Sequence, residues 1–192
     1  MKETGMTTRF VAFDQRALSR WILVAVLGVT CAVGFYVSYA YAATINCSSD
    51  PCHGTPNNDV INGTSSGEVI FAGSGDDTVN AGGGPDFAYG NEDADLIYGG
   101  PGADFVEGNP GNDRNTLDGG LYGNDGNDSI YGGDGIDTLW GNAGVDELYG
   151  QAHNDALHAQ DGQGDNVFGG GGFNNCWVDR GLDYWQGCDG YP

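Results

Sequence analysis

The sequence predicts an all-β fold, a β-solenoid of tandem nine-residue units stacked in parallel. Three observations carry that expectation. From Gly123 to Tyr149 the chain reads GNDGNDSIY, GGDGIDTLW, GNAGVDELY, three units with Gly first and fourth, Asp sixth, an apolar residue eighth (Ile130, Leu139, Leu148) and an aromatic last (Tyr131, Trp140, Tyr149). An acidic residue recurs at the sixth position through most of the chain, and self-similarity at a fixed short period is the signature of a repeat architecture. Gly supplies 36 of 192 residues but follows no G-X-Y period, which excludes a collagen.

The formal charge is -21, a balance that also suits a disordered acidic tail. Regularly placed Ile, Val, Leu and aromatic residues favour order instead. Basic residues cluster at Lys2, Arg9, Arg16 and Arg20, and only Arg114 and Arg180 lie beyond them. Nucleic acid and anionic membrane surfaces are therefore poor partners for the body of the chain.

After the basic lead comes an apolar run from Trp21 to Ala40, followed by Ala40-Tyr41-Ala42, which has the small-x-small form of a signal-peptidase site. The run is also long enough to stay as a membrane anchor. Both readings of residues 1–42 place the body outside the cytosol. From Ala43 onward, 25 acidic residues stand against 2 basic ones, a charge of -23. Cys31 belongs to the apolar run, and the other four cysteines form an even set suited to disulfides in an exported chain. Proximity pairs Cys47 with Cys52 and Cys176 with Cys188, one loop at each end, worth about 2 and 3 kcal/mol by loop entropy. Cys52-His53 with the distant thiols matches no zinc spacing.

Sixth-position acids fall at Asp59, Glu68, Asp77, Asp86, Asp95, Asp104 and Asp113 at an unbroken interval of nine. A fifteen-residue step through RNTLDGGLYG, the period plus six, leads to Asp128, and Asp137, Asp146 and Asp155 resume the nine. A ten-residue step reaches Asp165, with weaker echoes at Asn174 and Asp183. The apolar slot reads Ile61, Ile70, Val79, Ala88, Ile97, Val106, then Ile130, Leu139, Leu148, Leu157 and Val167. In a short strand the slot residue points inward and its neighbours outward. One inward side chain per unit makes no core alone, so units must stack. The six residues before each slot strand, rich in Gly, Asn and Asp, suit a turn. Two units complete a coil, and seven coils at the ~4.8 Å strand spacing span roughly 30 Å.

Parallel stacking then sets Asp77 beside Asp95 and Asp86 beside Asp104, in two carboxylate ladders. Like charges ~5 Å apart repel by ~0.8 kcal/mol per pair at the dielectric of water, and several times more at an effective dielectric near 20. Lys and Arg are almost absent, so the counter-charge must come from solution. A hard divalent cation with six to eight oxygens fits a turn offering one carboxylate and several carbonyls, and calcium suits it better than magnesium.

The tandem G-x-x-G-x-D-x-U-x resembles the haemolysin-type, or RTX, repeat, whose full unit is G-G-x-G-x-D-x-U-x. The resemblance runs from about Asp59 to Val167. It implies a parallel β-roll that binds several calcium ions between adjacent turns through sixth-position carboxylates and turn carbonyls. The implied ligands are Asp59, Asp77, Asp86, Asp95, Asp104, Asp113, Asp128, Asp137, Asp146, Asp155 and Asp165. Gly100 with Gly102, and Gly133 with Gly135, would supply permissive backbone. Glu68 after Ser66, Asp93 before Asp95 and His153 before Asp155 depart from the pattern, which marks weak sites.

The resulting organisation is a signal peptide or anchor over 1–42, an N-terminal cap with a Cys pair over 43–58, the calcium-binding roll over 59–168, and degenerate repeats with a C-terminal cap and Cys pair over 169–192. Relatives often attach such a roll to an enzyme, but this chain has no H-E-x-x-H, no G-x-S-x-G and no non-repeat segment of domain size, so it reads as non-enzymatic. His153 and His158 read as surface residues of ordinary repeats. The alternative is a surface adhesin or glycan binder using outward aromatics, with Phe71, Phe87, Tyr89 and Phe105 on one face and Tyr98, Tyr131, Trp140 and Tyr149 elsewhere. Such rows also stabilise a sheet by packing.

Overall fold

A computed structural model describes residues 42–114 and 119–190. The segment read as a signal peptide or anchor lies, apart from Ala42, outside the described residues. Sixteen strands, numbered in chain order, alternate between two parallel sheets, and among the described residues there is no helix. One sheet holds β1 (Thr44–Asn46), β3 (Val60–Thr64), β5 (Thr78–Gly82), β7 (Leu96–Pro101), β9 (Leu121–Asp125), β11 (Thr138–Ala143), β13 (Ala156–Ala159) and β15 (Asn175–Val178). The other holds β2 (Cys52–His53), β4 (Val69–Ser74), β6 (Phe87–Glu92), β8 (Phe105–Pro110), β10 (Ser129–Asp134), β12 (Glu147–Ala152), β14 (Asn166–Phe168) and β16 (Tyr184–Gln186). Each strand pairs with the strand two along, so one coil is two units, as the period predicts.

Register follows the apolar slot. Ile45 pairs with Ile61, Ile61 with Val79, and Val79 with Ile97. On the other sheet Cys52 pairs with Ile70, Ile70 with Ala88, and Ala88 with Val106. From Ile61 to Val167 the slot residues are fully buried. The roll has eight coils rather than seven, because Ile45 and Cys52 in the amino-terminal cap already occupy slots. Cys47 is bonded to Cys52 and Cys176 to Cys188.

Two features differ from the sequence reading. The slot series leaves the unit of Asp113 empty, whereas the six extra residues fall between Asp113 and Leu121, so Leu121 is the slot residue of that unit. It is fully buried, pairs with Ile97 and Leu139, and keeps the stack continuous across the insertion. Inward positions also number two per unit: the residue two places after the slot, Ala72, Ala81, Ala159 or more often Gly, is buried as well. In the inner coils that position takes Gly or Ala because an Asp carboxylate occupies the space above it, whereas Cys47 and Val178 fill it in the end coils.

Outward residues form ladders of rings. On the β2 sheet, Phe71, Phe87, Tyr89 and Phe105 share one face as expected, and Tyr131 and Tyr149 join them. On the opposite sheet, Asn46, Asn62 and Asn80 form an amide ladder, and Tyr98, Tyr122, Trp140, His158 and Trp177 continue the row as rings. His158 is no simple surface residue. It is sandwiched between Trp140 and Trp177 at ring distances of 3.6 and 4.0 Å, and burial pushes its pKa down to about 4. His153, by contrast, is exposed in its turn.

Replacing Leu121 by Ala should cost about 2–5 kcal/mol in equilibrium denaturation, the range for an emptied core site. Val60→Ala, at a position 40 % exposed on β3, should stay within roughly 0.5 kcal/mol. Equal effects would mean that Leu121 is not a core residue.

Candidate metal centre

The coil-to-coil pairing brings the sixth-position residues into two ladders along the turn edges. One runs Asp59, Asp77, Asp95, Asp113, Asp137, Asp155 and Asn174, and the other Glu68, Asp86, Asp104, Asp128, Asp146, Asp165 and Asp183. In every step the backbone N–H of one rung donates to the side-chain Oδ1 of the next, at 2.6–3.0 Å. The steps across the insertion, Asp104 to Asp128 and Asp113 to Asp137, have the same 2.8 Å length as the steps before them. All eleven expected ligand residues thus fall on the ladders, and each is at most 3 % exposed.

The second carboxylate oxygen separates them. In Asp77, Asp86, Asp95, Asp104, Asp113, Asp128, Asp137, Asp146, Asp155 and Asp165, Oδ2 is buried without a hydrogen-bond partner. Asp59 differs: Ala43 N–H donates to its Oδ1 at 2.7 Å and Thr55 N–H to its Oδ2 at 2.6 Å. Glu68 takes the Thr64 amide at 3.1 Å together with the Thr64 hydroxyl. Asp183 takes the amides of Asp165 and Asp179 at 3.0 and 2.6 Å. One further member was not legible as a repeat: Asp189 accepts the Asn174 amide at 3.1 Å and closes the first ladder. It follows Cys188, where no periodicity marks it.

The orphaned oxygens share their space with backbone carbonyls. A methyl group at Gly90 would sit 2.3 Å from Asp95 Oδ2 and 2.9 Å from the Gly108 carbonyl oxygen; at Gly132 it would sit 2.6 Å from Asp137 Oδ2 and 2.7 Å from the Gly150 oxygen. The first glycine of the unit is therefore there for room. The second position needs left-handed backbone, met by Gly100 and Gly133 (φ 105 and 117°) and by Asn at Asn91, Asn109, Asn124 and Asn142 (φ 69–79°). At the fourth position Gly102 and Gly135 pack against carbonyls of the preceding coil, which a Cβ would approach to 2.1 and 1.4 Å. Asp93 and His153 replace that glycine and still hold left-handed φ of 77 and 80°.

A buried carboxylate oxygen beside a carbonyl oxygen, with no donor between them, calls for a proton or a cation. Desolvation is the largest cause raising these carboxyls above the usual range: Asp77, Asp86, Asp137 and Asp146 to about 6, Asp113, Asp128, Asp155 and Asp165 to about 7, and Asp95 to about 8. The ladder amide lowers each of them, less than burial raises it. Among the described residues no three His, Cys, Asp or Glu side chains converge on a metal position. An ion at a rung must therefore draw much of its coordination from turn carbonyls, which suits a hard cation.

The raised values set a pH dependence for the metal-free chain. Between about pH 4 and pH 8 the folded ladder binds more protons than the unfolded chain, so stability falls as pH rises. In excess chelator the thermal midpoint should be higher at about pH 5 than at about pH 8. A midpoint that rises with pH would show that the carboxyls are not desolvated.

The model of the RTX calcium-binding nonapeptide repeat (4 copies) matches residues 53–88, 81–114, 89–121, 111–144, 122–157 and 131–164. No curated protein and no solved structure matches the chain. The matches run from 53 to 164, more than half of the 192 residues, and they fall on the coils whose rungs carry the orphaned oxygens. The chain belongs to the RTX calcium-binding nonapeptide repeat family.

Proposed function

We propose that this is an exported, non-enzymatic β-roll that takes several calcium ions along its two turn edges and completes its fold as it takes them. The observation that carries the reading is the set of ten buried, unpartnered Oδ2 atoms in a chain of this family. Asp77, Asp86, Asp95, Asp104, Asp113, Asp128, Asp137, Asp146, Asp155 and Asp165 are the carboxylate ligands, helped by turn carbonyls. Asp59, with both oxygens already bonded, is the weakest of the eleven. Bound calcium supplies the positive charge that the chain lacks.

The chain's own contribution is to bring adjacent turns together, and this couples binding to folding. The folded chain holds the two rungs of a site side by side, whereas the unfolded chain does not. Each site then contributes about 2.7 kcal/mol when free calcium is 100 times its dissociation constant. Two disulfides support an oxidising, extracytosolic location, to which residues 1–42 would deliver the chain as a signal peptide or anchor. Caps at 43–58 and 169–192 flank a roll at 59–168; the fully bonded rung at Asp183 supports the carboxy-terminal boundary, whereas those at Asp59 and Glu68 favour a first binding rung at Asp77. The ring ladders support a packing role for the aromatics over a glycan-binding one. From Trp140 to Trp177 the rings lie within 11° of parallel and spend their faces on each other, whereas a sugar platform needs a free face.

Calcium titration of the protein followed by circular dichroism should show cooperative gain of sheet. A spectrum already rich in sheet in excess chelator and unchanged by calcium would contradict the proposal. Asp137→Ala removes the acceptor of the Asp113 amide and disturbs the step to Asp155, so it should raise the calcium midpoint. Asp183→Ala should raise it far less. Hydrogen exchange at intermediate calcium should protect the Asp128–Asp155 block before the Asp59–Glu68 block, and the reverse order would count against motif completeness as the determinant of affinity.

A further inference from the structure

Asn174 is the one ladder rung that is an amide rather than a carboxylate. It is fully buried, and its Oδ1 accepts the Asp155 amide at 2.8 Å just as an Asp rung would. Its other atom does what no Asp rung can. Nδ2 donates to the Gly187 carbonyl oxygen at 3.1 Å.

That carbonyl is the counterpart of those facing the orphaned oxygens. A methyl group at Gly169 would sit 2.0 Å from the Gly187 oxygen and 2.7 Å from Asn174 Nδ2; one at Gly150 would sit 2.5 Å from the Gly169 oxygen and 2.6 Å from Asp155 Oδ2. The two cradles are built alike. One holds an N–H against a carbonyl, and the other holds two acceptors with nothing between them.

We propose that Asn174 is a metal-free rung: its Nδ2–H supplies internally what each Asp rung obtains from a cation, so the identity of the rung, Asn or Asp, decides rung by rung whether a coil needs metal. This rests on the calcium reading for the meaning of the Asp rungs, but the hydrogen bond of Asn174 stands without it. The other edge and the far end close in the same spirit with different donors. Backbone amides of Thr55, Thr64 and Asp179 bond the second oxygens of Asp59, Glu68 and Asp183. The cation-dependent rungs are thereby confined to Asp77 through Asp165, with the self-satisfied Asp59 and Glu68 before them and Asn174 and Asp183 after them.

Two opposite substitutions test this, each in the full chain, with the thermal midpoint read at low free calcium held by a chelator buffer at about pH 8.5, the chelator midpoint, and with bound calcium counted by equilibrium dialysis. Asn174→Asp should lower the chelator midpoint by roughly 5 °C or more, as expected when a buried acceptor loses its donor. Saturating calcium should restore it, with additional calcium bound. Asp146→Asn, inside the other ladder, should raise the chelator midpoint and bind less calcium than wild type. If Asn174→Asp leaves the chelator midpoint unchanged, or Asp146→Asn fails to raise it, the metal-free rung is overturned. If both midpoints shift as expected while wild type binds no calcium, the rung stands and the calcium reading falls.

Discussion

One carboxylate per unit, with one oxygen bonded and the other buried without a partner, is the constraint on which the roll depends. The bonded oxygen ties each coil to the one before it, because Oδ1 accepts a backbone amide that would otherwise be left unsatisfied in the turn. The unbonded oxygen makes that tie conditional. Leaving a buried acceptor unsatisfied costs about 1–3 kcal/mol, more when it is charged, and the ladder repeats the deficit ten times. A chain with -21 formal charge and two basic residues in its body cannot supply the remedy from its side chains.

The same constraint shapes the core. A carboxylate folded over the inward position two places after the slot leaves room for hydrogen or a methyl group, so the interior is two facing files, mostly of Ile, Val and Leu, flanked mostly by Gly and Ala. Such a core buries little apolar surface per residue. The ring ladders on both outer faces add cross-strand packing of about 0.5–1.5 kcal/mol per pair, and the disulfides restrain the two ends. These contributions hold strands in register, but none of them reaches the orphaned oxygens inside the turns.

Much of this was legible in the sequence because a period is a geometric statement. Nine residues with one apolar slot predict a strand and a turn, and an eighteen-residue coil predicts which Asp residues meet. What periodicity could not show was anything depending on distance across the stack. Leu121 was missed because six inserted residues separate it from Asp113, although Leu-Tyr-Gly at 121–123 repeats the pattern of slot, aromatic and glycine. Ile45 is hidden as a slot residue because Ala43 stands at its sixth position, and Cys52, although Asp50 lies nine residues before Asp59, because a disulfide cysteine takes the place of an aliphatic slot residue. The sequence alone made Asp59 equal to Asp77, since only the Thr55 amide, a feature of the folded turn, tells them apart. His158 read as a surface residue because its two tryptophan neighbours are eighteen and nineteen residues away.

The most direct test of the account is the location of bound cation. A crystal structure of the calcium-loaded protein, with anomalous scattering used to place the ions, should put calcium against the Oδ2 atoms of the Asp77 to Asp165 rungs on both edges. No ion should contact Asn174. Ordered water or protons satisfying those oxygens, with calcium only on the exposed surface carboxylates, would contradict the account.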